Sequence, residues 1–222
     1  MQQALIVGAG SGISASLARR LAGRGYRVAL AARDAGKLAA LAAEIGAGVH
    51  ACDTAEPAQV EALFAAAGTP DVVLYNASFR VRGPFLELDP AAVARTLAVS
   101  AFGGFLVAQQ AVKRMLPRGA GCILFTGASA SVKGYPQSAP FAMGKFALRG
   151  LAQSLAREMH PMGIHVAHVV VDGGVRSAAR PDPAADSLLD PDAIAEAMIG
   201  LIDQPRSAWS DEIALRPWVE RF

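Results

Sequence analysis

The sequence is poor in charged residues, in aromatic side chains and in cysteine. Charged residues make up 18% of the 222 residues and aromatic residues 6%, whereas hydrophobic residues make up 53%. Lys and Arg number 21 against 19 Asp and Glu, a net charge of +2, so we expect no nucleic-acid partner. A chain this apolar can bury a large core, which excludes disorder. We expect one α/β domain over residues 1–222.

Metal, disulfide and membrane signals are also missing. Cys52 and Cys122 lie far apart in apolar, strand-like runs, so we expect two buried free thiols. None of the four His residues forms an HExxH pattern, and no metal site is expected. No run reaches about 18 consecutive apolar residues, and Met1 leads into a strand without a signal-peptide pattern. We therefore expect a soluble, cytoplasmic protein with no membrane partner.

Short apolar runs alternate with helical stretches along the whole chain. We predict strands over 4–7, 27–32, 49–52, 71–75, 122–126, 164–171 and 212–215. We predict helices over 13–24, 34–45 (capped by Asp34), 57–67, 90–116, 138–159 and 192–202. Such alternation indicates a Rossmann-type, doubly wound parallel sheet of about seven strands. A polar, Pro-rich segment over 176–191 is predicted to be a flexible flap over a ligand site at the carboxyl end of the sheet.

A glycine-rich turn follows the first predicted strand and opens the first helix. Gly8, Gly10, Ser11, Gly12 and Ile13 form this turn. Glycines in this position let a pyrophosphate approach the amino end of the helix. The turn therefore indicates a dinucleotide site, with a plain glycine-rich turn as the structural alternative.

The end of the second strand indicates which dinucleotide is bound. Sites for NAD usually carry an acid there, whereas here Ala32 is followed by Arg33. A guanidinium matches a 2′-phosphate through paired hydrogen bonds. We therefore favour NADP(H) over NAD(H), although Asp34 is adjacent and Arg33 could be a solvated loop residue.

With these features in place, the chain resembles the short-chain dehydrogenase/reductase superfamily over nearly its whole length. Gly8 and Gly12 match the family's TGxxxGxG pattern, with Val7 and Ser14 at its ends. The resemblance implies that Asp53 binds the adenine amino group. The remaining cofactor contacts that it implies are Asn76, Ala77, Gly173, Val175, Ser177 and Lys145.

The catalytic segments match the family in position but not in chemistry. The family uses an Asn-Ser-Tyr-Lys tetrad, in which Tyr exchanges a proton with the substrate and Lys lowers the pKa of that Tyr. Here Phe141 stands at the Tyr position and Lys145 is kept, while Ala128 and Ser100 fall at the Ser and Asn positions. The sequence is similar to a divergent branch of the superfamily with Phe before the conserved Lys.

The missing tyrosine leaves the proton donor open. Candidates are Tyr135, Ser129, Ser131 and Lys145, while Phe141 can supply no proton. Three functions follow: an NADPH-dependent oxidoreductase with atypical acid catalysis, a catalytically weak protein that senses or sequesters NADP(H), and a scaffold without cofactor. Resemblance also implies a homodimer or homotetramer that pairs the helices over 90–116 and 138–159. The substrate is a small molecule, and it could be anionic because of the arginines at positions 80, 82 and 176.

Overall fold

Seven parallel strands form the centre of the protein in the computed structural model, which describes residues 1–220. The strands are β1 Gln3–Val7, β2 Arg27–Ala32, β3 Gly48–Ala51, β4 Val72–Tyr75, β5 Gly121–Thr126, β6 Ile164–Val171 and β7 Glu212–Leu215. Their order in the sheet is β3-β2-β1-β4-β5-β6-β7. The order reverses direction between β1 and β4, which opens a crevice beyond the carboxyl ends of these strands. The predicted doubly wound sheet is thereby confirmed.

Helices cover both faces of the sheet. They are α1 Ile13–Gly23, α2 Ala39–Ile45, α3 Pro57–Ala67, α4 Pro90–Leu97, α5 Gly103–Met115, α6 Ala139–Met159 and α7 Pro191–Ile202. Side chains of α1, α2 and α7 form the core on one face, and those of α3, α5 and α6 form it on the other. All eight residues of β6 are buried, as expected for an apolar strand covered on both sides.

The helix predicted over 90–116 is confirmed as one helical stretch, Pro90–Arg118, with a π-helical turn inside it. A π-helical turn, Ala98–Phe102, separates α4 from α5. The Tyr75 hydroxyl at the end of β4 donates a hydrogen bond to the Val99 carbonyl, inside this turn. A side chain inserted into the helical hydrogen-bond ladder is a common cause of such a bulge. The turn thus accepts a hydrogen bond from the sheet, a contact between distant parts of the chain.

The same helical stretch has the length and composition of a membrane span. Residues Pro90–Arg118 reach a mean hydropathy of 1.7 over 18 residues, although the run is not continuously apolar. Val107 and Ala111 on its inner side are fully buried in the core beneath the sheet. Phe102 and Phe105 on its outer side are stacked on each other and exposed. Core packing explains the apolar inner side, and the outer side is an uncovered apolar surface.

The predicted helix cap at Asp34 is wrong. Asp34 precedes a short 3-10 turn, Ala35–Leu38, and its side chain accepts no hydrogen bond from the backbone there. Its carboxylate instead lies 3.2 Å from the ammonium of Lys37. The ion pair with Lys37 therefore replaces the predicted capping hydrogen bond.

Both cysteines are buried free thiols, as predicted. Burial raises the pKa of Cys122 to about 12. Burial, with a smaller effect of the Asp53 charge, raises the pKa of Cys52 to about 11. Neither thiol is therefore activated as a nucleophile.

Candidate active site

The glycine-rich turn has the shape of a phosphate-binding loop. The amides of Gly8 and Ala9 both donate to the Ala31 carbonyl at 2.9 Å, which ties the turn to β2. Gly8 has a φ of +78°, and a Cβ there would collide with the backbone of Ala77. A Cβ on Gly10 or on Gly12 would meet nothing within 4 Å. Gly8 is therefore required by the fold, whereas the other two glycines leave open space beside the helix start.

Asn76 connects the end of β4 to this loop. Its side-chain amide donates to the Gly8 carbonyl at 3.2 Å and to the Ser14 hydroxyl at 2.9 Å. Ser14 stands where the resembling family has its last glycine, and it is buried. The substitution is accommodated because the added hydroxyl accepts this internal hydrogen bond.

A cavity of about 720 Å³ lies over the phosphate loop. Of the predicted cofactor residues it brings together Gly8, Gly10, Ser11, Arg33, Asn76 and Ala77. Lys37 also lines it, beside Arg33, and sequence reasoning missed this residue. Only the four-residue spacing between Arg33 and Lys37 could have indicated Lys37 from the sequence, and the short 3-10 turn between these residues was not predicted. Two cationic side chains and the carboxylate of Asp34 therefore line the cavity next to the end of β2, and their net charge is positive.

Asp53 is engaged within the protein. One carboxylate oxygen accepts from the Ala55 amide at 3.0 Å, and the other forms an ion pair with Arg95. Burial would raise the pKa of Asp53, but the Ala55 hydrogen bond, the Arg95 pair and the nearby Arg33 charge outweigh it and leave the pKa below its usual value. Asp53 is not among the residues that line the cavity, so its contact with adenine stays a prediction.

A second cavity, of about 500 Å³, adjoins the first and shares Asn76 and Ser78 with it. Of the predicted residues it brings together Ile13, Ser129, Tyr135, Phe141, Lys145, Gly173 and Val175. Residues that sequence reasoning did not select also line it, among them Thr126, Ser138 and Arg180. Ser138 lies three residues before Phe141, so the start of α6 was the signal that could have found it.

Phe141 and Lys145 lie one turn apart on α6 and meet in this cavity. The Lys145 ammonium is 5.8 Å from the centre of the Phe141 ring and donates to the Thr126 carbonyl at 2.7 Å. Lys145 is 3% exposed, and burial lowers its pKa to about 8. A lysine with that pKa can hold or release a proton near neutral pH.

Ser100, at the family's Asn position, does not line either cavity. It is fully buried in the π-helical turn, and its hydroxyl lies 3.4 Å from both the amide and the carbonyl of Phe79. Gly144 of α6 packs against it, since a Cβ there would be 2.9 Å from the Ser100 Cβ. The short side chain is held by the Phe79 backbone, and so Ser100 has no contact with the reacting centre.

The residues around Ser129 form a charged cluster at the rim of the cavity. Asp172 is buried, 3.4 Å from the Lys133 ammonium and 3.3 Å from the Arg216 guanidinium. Burial would raise the pKa of Asp172, but a hydrogen bond from Ser129 and the Lys133 charge lower it below its usual value. The Lys133 ammonium is also 5.8 Å from the centre of the Tyr135 ring. A hydroxyl, a carboxylate and a phenol thus lie close to the cavity.

The segment after β6 supplies the remaining predicted residues. Gly173 and Val175 line the second cavity, and the Leu189 amide donates to the Gly174 carbonyl at 2.8 Å, which closes the base of the flap. Ser177 lies outside both cavities, because its backbone pairs with that of Arg180 through two hydrogen bonds of 3.0 Å. A contact of Ser177 with the cofactor stays a prediction.

Known proteins share this fold, and three of them are 27% to 33% identical to this chain. A family model described as short chain dehydrogenase matches residues 2–185. D-threitol dehydrogenase of Mycolicibacterium smegmatis is 33% identical over 223 residues, which cover 95% of this chain and 82% of that protein.

Solved structures agree with this match. A short-chain dehydrogenase from Rhodopseudomonas palustris has a TM-score of 0.86 and 33% identity, over 98% of this chain and 99% of that one. An alcohol dehydrogenase from the archaeon Thermococcus sibiricus, complexed with 5-hydroxy-NADP, has a TM-score of 0.88 and 27% identity, over 100% of this chain and 98% of that one. Together with the family match over most of its length, these similarities show that the chain belongs to the short-chain dehydrogenase family.

Proposed function

We propose that the protein is an NADP(H)-dependent oxidoreductase of the short-chain dehydrogenase type with an active site that lacks the family tyrosine. The observation that carries the proposal is the pair of adjoining cavities at the topological switch point. One cavity contains the phosphate loop and the other contains Lys145. A dinucleotide that spans both would place its nicotinamide beside Lys145 and Phe141.

The residues present fit such a cofactor. Gly10 and Gly12 leave the space that a pyrophosphate needs, and the amino end of α1 lies next to it. Arg33 and Lys37 line the cavity where a 2′-phosphate would lie, and Asp34 is paired with Lys37. The choice of NADP(H) over NAD(H) rests on these two cations. The bound 5-hydroxy-NADP in the Thermococcus sibiricus relative supports the same choice.

The cofactor would supply hydride chemistry, and the chain would supply position and a proton. Lys145 would hold the nicotinamide ribose hydroxyls, and Val175 and Gly173 would border the nicotinamide. Three groups are candidates to deliver the proton: the Lys145 ammonium, the Tyr135 phenol and the Ser129 hydroxyl that faces Asp172. Ser131 is a weaker candidate, because its hydroxyl is buried and bonded to the Ala128 amide at 3.1 Å.

Single variants separate these candidates. Tyr135→Phe or Ser129→Ala should lower kcat for NADPH-dependent carbonyl reduction by about 100-fold if that residue is the general acid. Tyr26→Phe is a matched control, because Tyr26 lies at the opposite end of the sheet from both cavities. If neither variant changes kcat, and if the pH dependence of kcat in the wild-type protein follows a group with a pKa of about 8, Lys145 is the proton donor. The oxidoreductase proposal fails if a broad panel of carbonyl and enoyl compounds gives no turnover.

The alternative function is a catalytically weak protein that binds or senses NADP(H). The observation that favours it is the loss of three hydroxyl or amide groups from the reacting centre, at Phe141, Ala128 and Ser100. Binding of NADPH without turnover on that panel supports this alternative.

We propose in addition that the protein acts in the cytoplasm on a small molecule, as a homodimer or homotetramer without nucleic-acid or membrane partners. Phe102, Phe105, Met143 and Phe146 are all more than 40% exposed on α5, α6 and the turn before α5. An apolar surface of this kind on adjacent helices suits a symmetric contact with a second copy. Light scattering tests it, and a monomer would refute it.

A further inference from the structure

The second cavity carries an excess of positive charge. Arg80, Arg82, Arg180 and Lys145 line it, and no carboxylate among the described residues does so. None of the three arginines forms an ion pair with a described carboxylate, unlike Arg176, which pairs with Asp190 at 2.7 Å. The three arginines are exposed at the mouth of the cavity, whereas Lys145 is buried within it, and cations gathered at one concave site attract an anion.

The protein holds two of these arginines in place. The Arg80 guanidinium lies 5.0 Å from the centre of the Phe141 ring, a cation–π contact. The Gly83 amide donates to the Gln137 carbonyl at 3.1 Å, which fixes the Arg80 loop against the start of α6. Arg180 packs on Gly174 so closely that any Cβ there would collide with its guanidinium. The cationic groups are therefore positioned for a ligand before one binds.

We infer that this cavity selects carbonyl substrates that carry a carboxylate next to the reacting carbon, of the 2-oxo acid class. The Arg80 guanidinium lies over the ring of Phe141, which stands at the position of the family tyrosine. An anion bound by Arg80 is therefore next to the reacting centre. A carboxylate matches the guanidinium through two parallel hydrogen bonds. The inference rests on the proposed NADPH-dependent reduction and specifies its substrate class.

The missing tyrosine is consistent with such a substrate. A carbonyl beside a carboxylate is more electrophilic than that of a simple ketone, and a second cation of the cavity, the Lys145 ammonium, can stabilise the oxyanion that develops on reduction. In the reaction NADPH is oxidised to NADP⁺, its hydride adds to the carbonyl carbon, and a proton from the protein or water completes the hydroxyl group. The product is a 2-hydroxy acid.

The test compares one acid with its neutral ester. Benzoylformate and methyl benzoylformate are titrated calorimetrically into the full-length protein loaded with NADP⁺, so that no reduction occurs. We expect benzoylformate to bind about 10-fold tighter than the ester, because only the acid offers a charged group that can form a hydrogen bond with Arg80. Arg80→Gln should remove that preference, and Arg176→Gln, the matched control outside the cavity, should keep it. Raising the salt concentration from about 50 to about 500 mM should weaken the binding of the acid but not that of the ester.

The outcomes separate this inference from the proposed function. Equal binding of acid and ester, or a preference that survives in Arg80→Gln, overturns the inference even when NADPH is bound and neutral ketones are reduced. A charge-dependent preference for the acid in a protein that does not bind NADPH leaves the anion site standing and removes the oxidoreductase proposal.

Discussion

Restoring the tyrosine hydroxyl at position 141 tests whether the reacting geometry is intact. Phe141 is half-buried and lines the open cavity, so a hydroxyl in Phe141→Tyr projects into space rather than into the core. Lys145 lies 5.8 Å and Arg80 5.0 Å from the ring centre. Nearby positive charges favour the phenolate, so they would lower the pKa of the new phenol. The new group is then suited to proton transfer near neutral pH.

The expected gain follows from the size of general acid catalysis. Phe141→Tyr should raise kcat for the reduction of a simple ketone by about 100-fold or more, measured as NADPH oxidation. Phe85→Tyr is the control, because Phe85 is 76% exposed, lines neither cavity and lies outside the apolar surface on α5 and α6. No gain in Phe141→Tyr, alone or combined with Ala128→Ser, would refute the view that substrate and hydride are already aligned.

Three further predictions address the loop, the buried lysine and the assembly. Gly8→Ala should destabilise the fold by more than about 1 kcal/mol in chemical denaturation, because φ is positive and the Cβ meets Ala77, whereas Gly10→Ala should keep its Tm and lose NADPH affinity; equal Tm values would contradict this. Lys145 has a folded-state pKa of about 8, below its usual 10.5, so the unfolded chain binds more protons between these values and stability rises with pH across that window. Lys145→Met should therefore stabilise the protein by about 3 kcal/mol more at the lower end of this window than at its upper end, and a pH-independent difference would show that the lysine is not desolvated. Phe105→Glu should convert the oligomer to monomer in light scattering without loss of NADPH binding, and an unchanged mass would place the contact elsewhere.

Local pattern was sufficient to predict the sheet and most of its helices. Each strand is a short apolar run, and β2 and β6 have the predicted bounds because polar or glycine residues flank them. The π-helical turn between α4 and α5 was not predicted, and the Tyr75 hydroxyl that contacts it comes from a distant strand. The cap at Asp34 failed for a similar reason, because a nearby ammonium competes for the carboxylate.

The site was predictable where residues directly follow strands. The ends of β1, β2 and β4 are level, since Val7 pairs with both Ala31 and Tyr75, and the segments after them converge as expected. Side-chain direction was not predictable. Ser100 has the position of a tetrad member but faces Phe79, and Arg180 reaches the cavity only because the flap folds back through its pairing with Ser177.

Fluorescence titration of NADPH with the protein tests the central claim most directly. Addition of the wild-type protein should change the NADPH emission until the signal saturates, and the protein should bind NADH much more weakly than NADPH. Arg33→Ser should abolish this preference by weakening NADPH binding about 10-fold or more while leaving NADH unaffected, because only the 2′-phosphate contact is lost. Absence of any change in NADPH emission would contradict a cofactor-dependent function, and tighter binding of NADH than of NADPH would contradict the assignment of Arg33.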